Sequence, residues 1–339
     1  MSQSKLNQRS LNIFPLKDFE AYKSFVKLSA SHWGPFEIKY IDDKKDYEKL
    51  KEPDSTGKNA AKLRLLNLIF AFFGPADMIV AQNLAFNFLK ESTTPEEILF
   101  LGSQLNNELV HSVSYGLYIH TMVDSDSELE TIFNMINEIP EVKAKADLMN
   151  KYMYGDYPIH EKYVAFVCAE LILFSVLFNI IYFFRSYGML NTLILLNDFI
   201  NRDEQSHGIF GSTRYKKYKP DNCTDRTLQI VLEFVEVETA FIKFMLPEPI
   251  DDLNSKSMIG YLHYLTDDVL RLLNEPAYFN SGSVPEWLKD ISLQTKNNFF
   301  EVSTNNYAHF SVSDALDIDK LTGKKKTVDS IANFDSVDF

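Results

Sequence analysis

Thiols and helix breakers are both scarce in this chain of 339 residues. It has two cysteines, Cys168 and Cys223, too few for a framework of several disulfides or for a zinc finger built on cysteine ligands. A dithiol reductase site within the chain is also not expected. Glycine and proline number 12 each, below their typical usage of about 7% and 5%. So few breakers over such a length predict long helices.

Basic residues are also in deficit, with 34 against 47 acidic residues and a net charge of −13. That balance disfavours nucleic acid and acidic membrane surfaces as partners. The first 30 residues lack the apolar run of a signal peptide, so we expect a cytoplasmic protein in a reducing compartment. A hydrophobic content of 45% indicates a globular chain.

The predicted organisation has three parts. Residues 1–58 are of mixed character, with Pro15, Pro35 and Pro53 breaking any long helix, and we interpret them as an N-terminal arm. Residues 59–309 are predicted to form a single large all-α domain, since they show no period-2 alternation typical of strands. Residues 310–339 are polar and charge-mixed, which predicts a mobile tail. The predicted helices cover residues 59–91, 95–123, 128–137, 141–153, 159–187, 190–215, 224–246 and 255–274.

Two signals refine the helix boundaries. Pro95 follows hydroxyl residues and precedes two glutamates, which is typical of a helix start, and Gly188 is a predicted C-terminal cap. Gly74-Pro75 interrupts the first long helix and leaves open one kinked helix or two segments.

The run from Tyr163 to Phe184 is apolar enough to span a bilayer, with Glu170 as its one charge. An acid at membrane depth is costly, and a helix that is apolar all round can form the centre of a soluble bundle. We therefore expect a core helix rather than a membrane span.

Two Glu-x-x-His motifs occur in predicted helices, Glu108 to His111 and Glu204 to His207. Residues three apart share a helix face, so each pair can present a carboxylate and an imidazole to one point. Either motif alone is weak evidence, and their apolar setting matters more.

Two further acids, Asp77 and Glu170, lie on neighbouring apolar helices. A buried carboxylate is costly without a partner, and pairing each acid with a nearby base is the simpler explanation for any one of them. Few bases are present in these segments. Two single acids and two Glu-x-x-His pairs on four helices are the ligand pattern of a di-iron or di-manganese bundle. Oxygen and imidazole donors suit iron or manganese.

Helical spacing places more residues beside this predicted site. Tyr115 is one turn beyond His111, Phe174 and Phe178 follow Glu170, and Ile200 precedes Glu204. Core packing explains them equally well. A dry collar around Tyr115 would also protect a reactive oxidised species.

Together these residues resemble the small, radical-bearing subunit of class I ribonucleotide reductase. The resemblance rests on SHWGPFEI, AFFGPADMIV, QLNNELVHSVSY, VAFVCAELILFS and INRDEQSHGIF, in the family's order. It implies a ferritin-like helical bundle with additional helices and a ribonucleoside-diphosphate reductase activity that needs a separate large subunit. It also implies two iron ions per chain, with manganese as the alternative. The implied metal ligands are Asp77, Glu108, His111, Glu170, Glu204 and His207.

The resemblance assigns further roles. Molecular oxygen is the implied oxidant, and Tyr115 is the implied stable radical, walled by Phe174, Phe178 and Ile200. The implied route passes the radical to the large subunit by proton-coupled electron transfer, through His111, Asp203, Trp33 and the tail residue Tyr307. The resemblance further implies a homodimer that docks the large subunit through its C-terminal peptide FDSVDF, which by composition alone resembles a frayed end.

Departures from the family pattern occur at Pro75 and Met78 near Asp77, and at Leu171, Val176 and Leu177 near Glu170. They could alter the pocket or the access of oxygen. A stand-alone ferritin-like di-metal oxidase is the alternative function, since it shares the ligands but needs neither Trp33 nor a docking tail. Iron storage is a third interpretation, although nothing in the sequence indicates cage assembly.

Overall fold

Helices account for nearly all the regular structure of the computed structural model, which describes residues 12–285, 288 and 312–316. In chain order the main helices are α1 (Phe19–Ala30), α2 (Lys44–Lys51), α3 (Lys58–Asn83), α4 (Pro95–Met122), α5 (Asp126–Glu138), α6 (Pro140–Tyr154), α7 (Ile159–Cys168), α8 (Ser175–Phe183), α9 (Asn191–Tyr218), α10 (Thr224–Met245) and α11 (Ser255–Leu272). Apart from a bridge between Ile250 and Leu253, the described residues contain no β-structure. The predicted all-α class is confirmed.

Two of the long helices contain wider turns of π-helix. Helix α3 continues through a π turn at Leu84–Phe88 into Leu89–Glu91. Helices α7 and α8 are joined by a π-helical stretch, Ala169–Phe174, which we call the π segment. Short π-helical stretches inside helices are frequent at functional sites.

The cap predicted at Gly188 is present. This glycine follows a 3₁₀ turn at Phe184–Tyr187 and has a left-handed backbone, with φ of 62°. Its N–H donates to the carbonyls of Phe184 and Arg185. Because glycine adopts this conformation without a steric penalty, the chain can reverse there before α9 begins.

Helix α3 runs unbroken through Pro75, so the first long helix is one element and not two. Its neighbours Phe72, Phe73, Ala76 and Asp77 are all fully buried. Packing of a helix face contributes more to helix stability than local propensity does. Burial on both sides of Pro75 thus offsets the hydrogen bond that the proline cannot make.

The N-terminal region is more regular than its prolines suggested, because it contains α1 and α2. The Asp18 carboxylate caps α1 by accepting the N–H of Ala21 at 3.0 Å. Helix α1 packs against α4 and α9, and α2 buries Tyr47 and Leu50. These residues therefore join the same core as the central helices.

The helices surround one hydrophobic core. Helix α3 packs on α4, and α9 packs on α7, the π segment and α4. The stretch Ile159–Tyr187 is long and apolar enough to span a membrane, yet 94% of its most apolar part is buried inside the fold. The expectation of a core helix rather than a membrane span is confirmed.

Only one piece of the predicted tail is described, a short helix α12 (Val312–Leu316) that contacts α1. The rest of residues 310–339, including FDSVDF, lies outside the described residues, as does Tyr307.

Candidate metal centre

Four elements of the bundle bring the six predicted ligands together in its interior. Helix α3 contributes one acid, the π segment another, and α4 and α9 one Glu-x-x-His pair each. Every one of these side chains is fully buried. We call the set the carboxylate–histidine cluster: Asp77, Glu108, His111, Glu170, Glu204 and His207.

The cluster divides into two groups of donor atoms, and in each group the atoms lie within 4.8 Å of one another. The first group contains Asp77 and His111, and the second contains Glu170 and His207. Glu108 and Glu204 belong to both groups. Two cations could therefore sit side by side, each with its own acid and imidazole, and share the two remaining carboxylates.

The two histidines approach the shared carboxylates closely. His111 Nδ1 lies 3.0 Å from Glu204 Oε1. His207 Nδ1 lies 2.8 Å from Glu204 Oε2 and 3.0 Å from Glu108 Oε1. Both imidazoles thus direct Nδ1 toward the acids that lie between the two groups.

Several carboxylate oxygens of the cluster are buried and have no hydrogen-bond partner among the described residues. They are both oxygens of Asp77, Oε2 of Glu108 and Oε2 of Glu170. Buried polar atoms in native proteins are nearly always satisfied, and a charge in such a place needs a partner of opposite sign. The donor set fits a pair of divalent iron or manganese ions.

The pKa values in the cluster show how strongly these groups interact. Burial, together with the neighbouring carboxylates, raises the pKa of Asp77 and of Glu170 well above the usual range. Burial acts in the same direction on Glu204, but His111 and His207 outweigh it and hold its pKa below normal. Against burial, Glu108 and Glu204 raise the pKa of His207 to about 9. A divalent cation that binds here must displace protons from these groups.

Beside the cluster, Asp203 joins Trp33 to His111. Trp33 Nε1 donates to Asp203 Oδ2 at 2.8 Å, and the same oxygen lies 3.2 Å from His111 Nε2. The other oxygen accepts from Arg202 at 3.1 Å. Against burial, the His111 hydrogen bond and Arg202 lower the pKa of Asp203, so it is an anion that fixes the imidazole ring. Such an outer carboxylate is usual behind a ligating histidine.

Tyr115 is fully buried, and its hydroxyl has no hydrogen-bond partner among the described residues. Burial, with Asp77 and Glu204 nearby, raises its pKa well above normal. The ring of Phe73 stacks on it with centroids 4.8 Å apart. The phenol therefore lies neutral and dry next to the acids.

The three predicted pocket residues, Phe174, Phe178 and Ile200, are all fully buried. Phe174 and Phe178 contact the ring of Phe73, with centroids 5.8 and 5.2 Å from its own. Phe73 is thus the ring that stacks on Tyr115, and the collar of Phe174, Phe178 and Ile200 around the phenol stays a prediction.

Sequence reasoning missed two residues of the site. Phe73 is one turn before Asp77, and Gln104 is one turn before Glu108. Gln104 Nε2 donates to Glu108 Oε1 at 3.2 Å and to Glu170 Oε1 at 3.4 Å, so one amide orients acids from two elements. The same i−4 spacing that pointed to Ile200 would have pointed to both.

The departures noted near the ligands have different consequences. Met78 is 41% exposed and faces away from the cluster. Leu171 packs against α9 at Gly208, where an added Cβ would lie 2.4 Å from Leu171 Cγ. Glycine beside His207 therefore lets α9 approach the π segment closely at the carboxylate–histidine cluster.

Comparison with known proteins places these features in one family. A family model described as ribonucleotide reductase, small chain, matches residues 10–285. The ribonucleoside-diphosphate reductase small subunit of Dictyostelium discoideum is 32% identical over 310 residues, which are 91% of this chain and 89% of that protein. A small chain from Plasmodium falciparum (isolate Dd2) is 33% identical over 311 residues, covering 89% and 86% of the two chains.

Solved structures share the fold at lower identity. The dimanganese(II) NrdF of Streptococcus sanguinis superposes with a TM-score of 0.71 at 19% identity, over 83% of this chain and 98% of that one. The Rnr4 homodimer of Saccharomyces cerevisiae gives a TM-score of 0.69 at 22% identity, over 85% and 90%.

Proposed function

Because this chain belongs to the small-chain family of ribonucleotide reductase, we propose that its carboxylate–histidine cluster holds two metal ions that support a radical on Tyr115. The chain is the small subunit of ribonucleoside-diphosphate reductase, an oxidoreductase that works with a separate large subunit. Its fold is the ferritin-like helical fold of that family. The observation that carries the proposal is the pair of donor groups that share Glu108 and Glu204.

Two ions bound to these ligands would supply the oxidising power that a tyrosine requires. Tyr115 would lose one electron and its phenolic proton. Burial keeps the phenol protonated until that moment, since its pKa is raised. After burial itself, Asp77 raises the pKa of Tyr115 most. We therefore assign its carboxylate, once a bound cation has displaced its own proton, as the group on this chain that takes the phenolic proton. The apolar ring of Phe73 keeps water from the oxidised Tyr115.

The route from Tyr115 to the large subunit is part of the same proposal. His111, Asp203 and Trp33 form a hydrogen-bonded series, along which an electron moves inward while protons shift between neighbours. Trp33 also stacks on the His111 ring with centroids 5.9 Å apart. From Trp33 the route would continue through Tyr307 to the large subunit, which docks on the C-terminal peptide FDSVDF.

The finer assignments are also proposals. Two iron ions per chain, molecular oxygen as oxidant, a homodimer and a cytoplasmic location agree with the family. Manganese suits the same donors, and one structural neighbour is described as a dimanganese protein. A stand-alone oxidase is not favoured, because it would not need the bond from Trp33 to Asp203. Iron storage is likewise not favoured, because the donor groups account for two ions and not a mineral core.

The proposed function is tested by loading the full chain with ferrous iron in air and recording its spin resonance. The wild type should show a tyrosyl radical, and Tyr115→Phe should bind the same iron without that signal. Tyr118→Phe is the matched control, since Tyr118 is a second fully buried phenol on α4 whose hydroxyl donates to Asp43 at 3.0 Å. A radical signal that persists in Tyr115→Phe and disappears in Tyr118→Phe would move the radical to Tyr118.

A further inference from the structure

An ion pair lies in the core outside the carboxylate–histidine cluster, and the mechanism above does not use it. Lys145 on α6 and Glu238 on α10 are both fully buried. Lys145 Nζ lies 2.7 Å from Glu238 Oε2. Within the described part of the chain, Lys145 is the one charged partner of Glu238.

The Lys145 ammonium also contacts the elements that carry the site. Its Nζ donates to the backbone carbonyl of Leu173 at 3.3 Å. It lies over the ring of Phe72, 4.1 Å from the centroid. Leu173 belongs to the π segment, three residues after Glu170. The ring of Phe72 lies 5.7 Å from that of Phe174. One cation thus joins α6 and α10 to α3 and the π segment.

Stability does not explain a charged pair at this place. Burial lowers the pKa of Lys145 and raises that of Glu238, and their mutual attraction opposes both shifts. Apolar residues of similar volume often replace such pairs without loss of stability. What an apolar pair cannot supply is a directional donor to the Leu173 carbonyl. The π segment departs from the regular α-helical pattern, and an outside donor can hold it in place.

We propose that Lys145 is a positioning residue for the metal centre: its ammonium holds the Leu173 carbonyl, and thereby sets where the π segment directs the Glu170 carboxylate. Glu238 offsets the cost of burying this cation in the core. This inference rests on the proposed metal-binding role of Glu170. It assigns to a residue on α6, outside the four elements that supply the ligands, a share in aligning the second donor group.

The test compares variants of the full chain by two measurements, the thermal midpoint of the metal-free protein and calorimetric titration with Mn²⁺. The principal variant is K145M/E238L, which removes the donor but keeps an apolar pair. Its matched control is K151M/E233L on the same two helices, where Lys151 Nζ and Glu233 Oε2 lie 2.6 Å apart near the surface. E238Q is the second variant, since Lys145 keeps an N–H donor for the Leu173 carbonyl and only the charge of its partner is removed.

We expect K145M/E238L to keep the wild-type midpoint and to bind Mn²⁺ about 10-fold more weakly, as outer-shell changes do. K151M/E233L should bind Mn²⁺ as the wild type does. E238Q should melt earlier but keep its affinity within about twofold, because the donor remains. Wild-type affinity in K145M/E238L would overturn the inference. A loss of Mn²⁺ affinity in E238Q that accompanies its lower thermal midpoint would also overturn the inference. The E238Q measurement decides the question even if K145M/E238L does not fold. If the wild type bound no Mn²⁺, the proposed function itself would fail instead.

Discussion

Trp33 and His111 share a single oxygen atom of Asp203. The indole N–H donates to Oδ2 at 2.8 Å, and His111 Nε2 lies 3.2 Å from the same atom. Trp33 precedes Asp203 by 170 residues in the chain, yet in the fold it lies next to His111, a predicted metal ligand. The N-terminal arm is therefore tied to the metal centre by a hydrogen-bonded series and not by packing alone.

Asp203→Asn tests that connection from its centre. The amide keeps the size of the carboxylate but loses the charge that fixes the His111 ring, so we expect metal affinity or turnover to fall about 10- to 100-fold. Mn²⁺ calorimetry and turnover with the large subunit measure the two effects. Trp33→Phe is the companion variant, since it leaves the contact between Asp203 and His111 intact. It should keep two metal ions and the Tyr115 signal while turnover is lost, and full turnover would remove Trp33 from the route.

Gln104→Leu tests the amide that orients two acids. Leucine fills a similar volume but cannot donate to Glu108 or Glu170, so metal affinity should fall by about 10-fold. The stability of the metal-free protein should change little, because the loss of two hydrogen bonds is offset by removal of the buried Gln104 Oε1, which has no hydrogen-bond partner among the described residues. Calorimetry and thermal melting separate the two quantities. Unchanged Mn²⁺ affinity would show that the two carboxylates need no help from Gln104.

Gly208→Ala tests the close approach of α9 to the π segment. The new methyl would lie 2.4 Å from Leu171 Cγ, and overpacking of this kind costs about 1–3 kcal/mol of unfolding free energy. Adding Leu171→Ala makes room for the methyl. The stability loss of the double variant should therefore be smaller than the sum of the losses in Gly208→Ala and Leu171→Ala. Denaturant unfolding of all four proteins measures this coupling. Simple additivity would mean that the two side chains do not meet.

Arg214→Met tests a buried ion-pair group that joins α1, α4 and α9. Arg214 lies 2.6 Å from Asp18 and 2.7 Å from Glu97. Although burial opposes the shift, Arg214 and Lys217 hold the pKa of both acids at about 2. Removing Arg214 leaves Glu97 buried with one fewer cation. The unfolding free energy should therefore fall by about 3 kcal/mol at neutral pH.

The pH dependence of that loss follows from the direction of the shifts. Both acids have folded-state pKa values below their usual values near 4, so their contribution is complete above about pH 5. It disappears as the pH falls toward 2. The difference in unfolding free energy between the wild type and Arg214→Met, measured by urea unfolding, should therefore decrease from pH 6 to pH 3. Lys143→Met is the control, at an exposed pair with Asp147, and should lower the unfolding free energy by less than about 1 kcal/mol. A stability loss for Arg214→Met that does not change with pH would contradict the account.

The six residues of the carboxylate–histidine cluster could be singled out from the sequence because charged and polar side chains are unusual in such apolar helices. Asp77 and Glu170 are acids in apolar helices, and the two Glu-x-x-His pairs have a spacing that fixes their common face. The long helices were predictable for a related reason, since few breakers interrupt them. Boundaries agreed to within a few residues, as for α4 at Pro95–Met122.

Other features depend on contacts that no local pattern records. The π segment differs from a regular helix by a local widening of the turn, which leaves no trace in hydrophobic periodicity. Lys145 lies on a helix of ordinary composition and finds Glu238 93 residues later in the sequence. Pro75 was read as an interruption because propensity alone does not show how deeply its neighbours are buried. Helices α1 and α2 were missed because the prolines around them read as breaks in the region as a whole.

The central claim is that two cations share Glu108 and Glu204, and an anomalous-scattering map of metal-loaded crystals tests it most directly. Data collected at the iron and manganese edges should show two peaks per chain, one beside Asp77 and His111 and the other beside Glu170 and His207. A single peak, or peaks that none of these six side chains touches, would contradict the account.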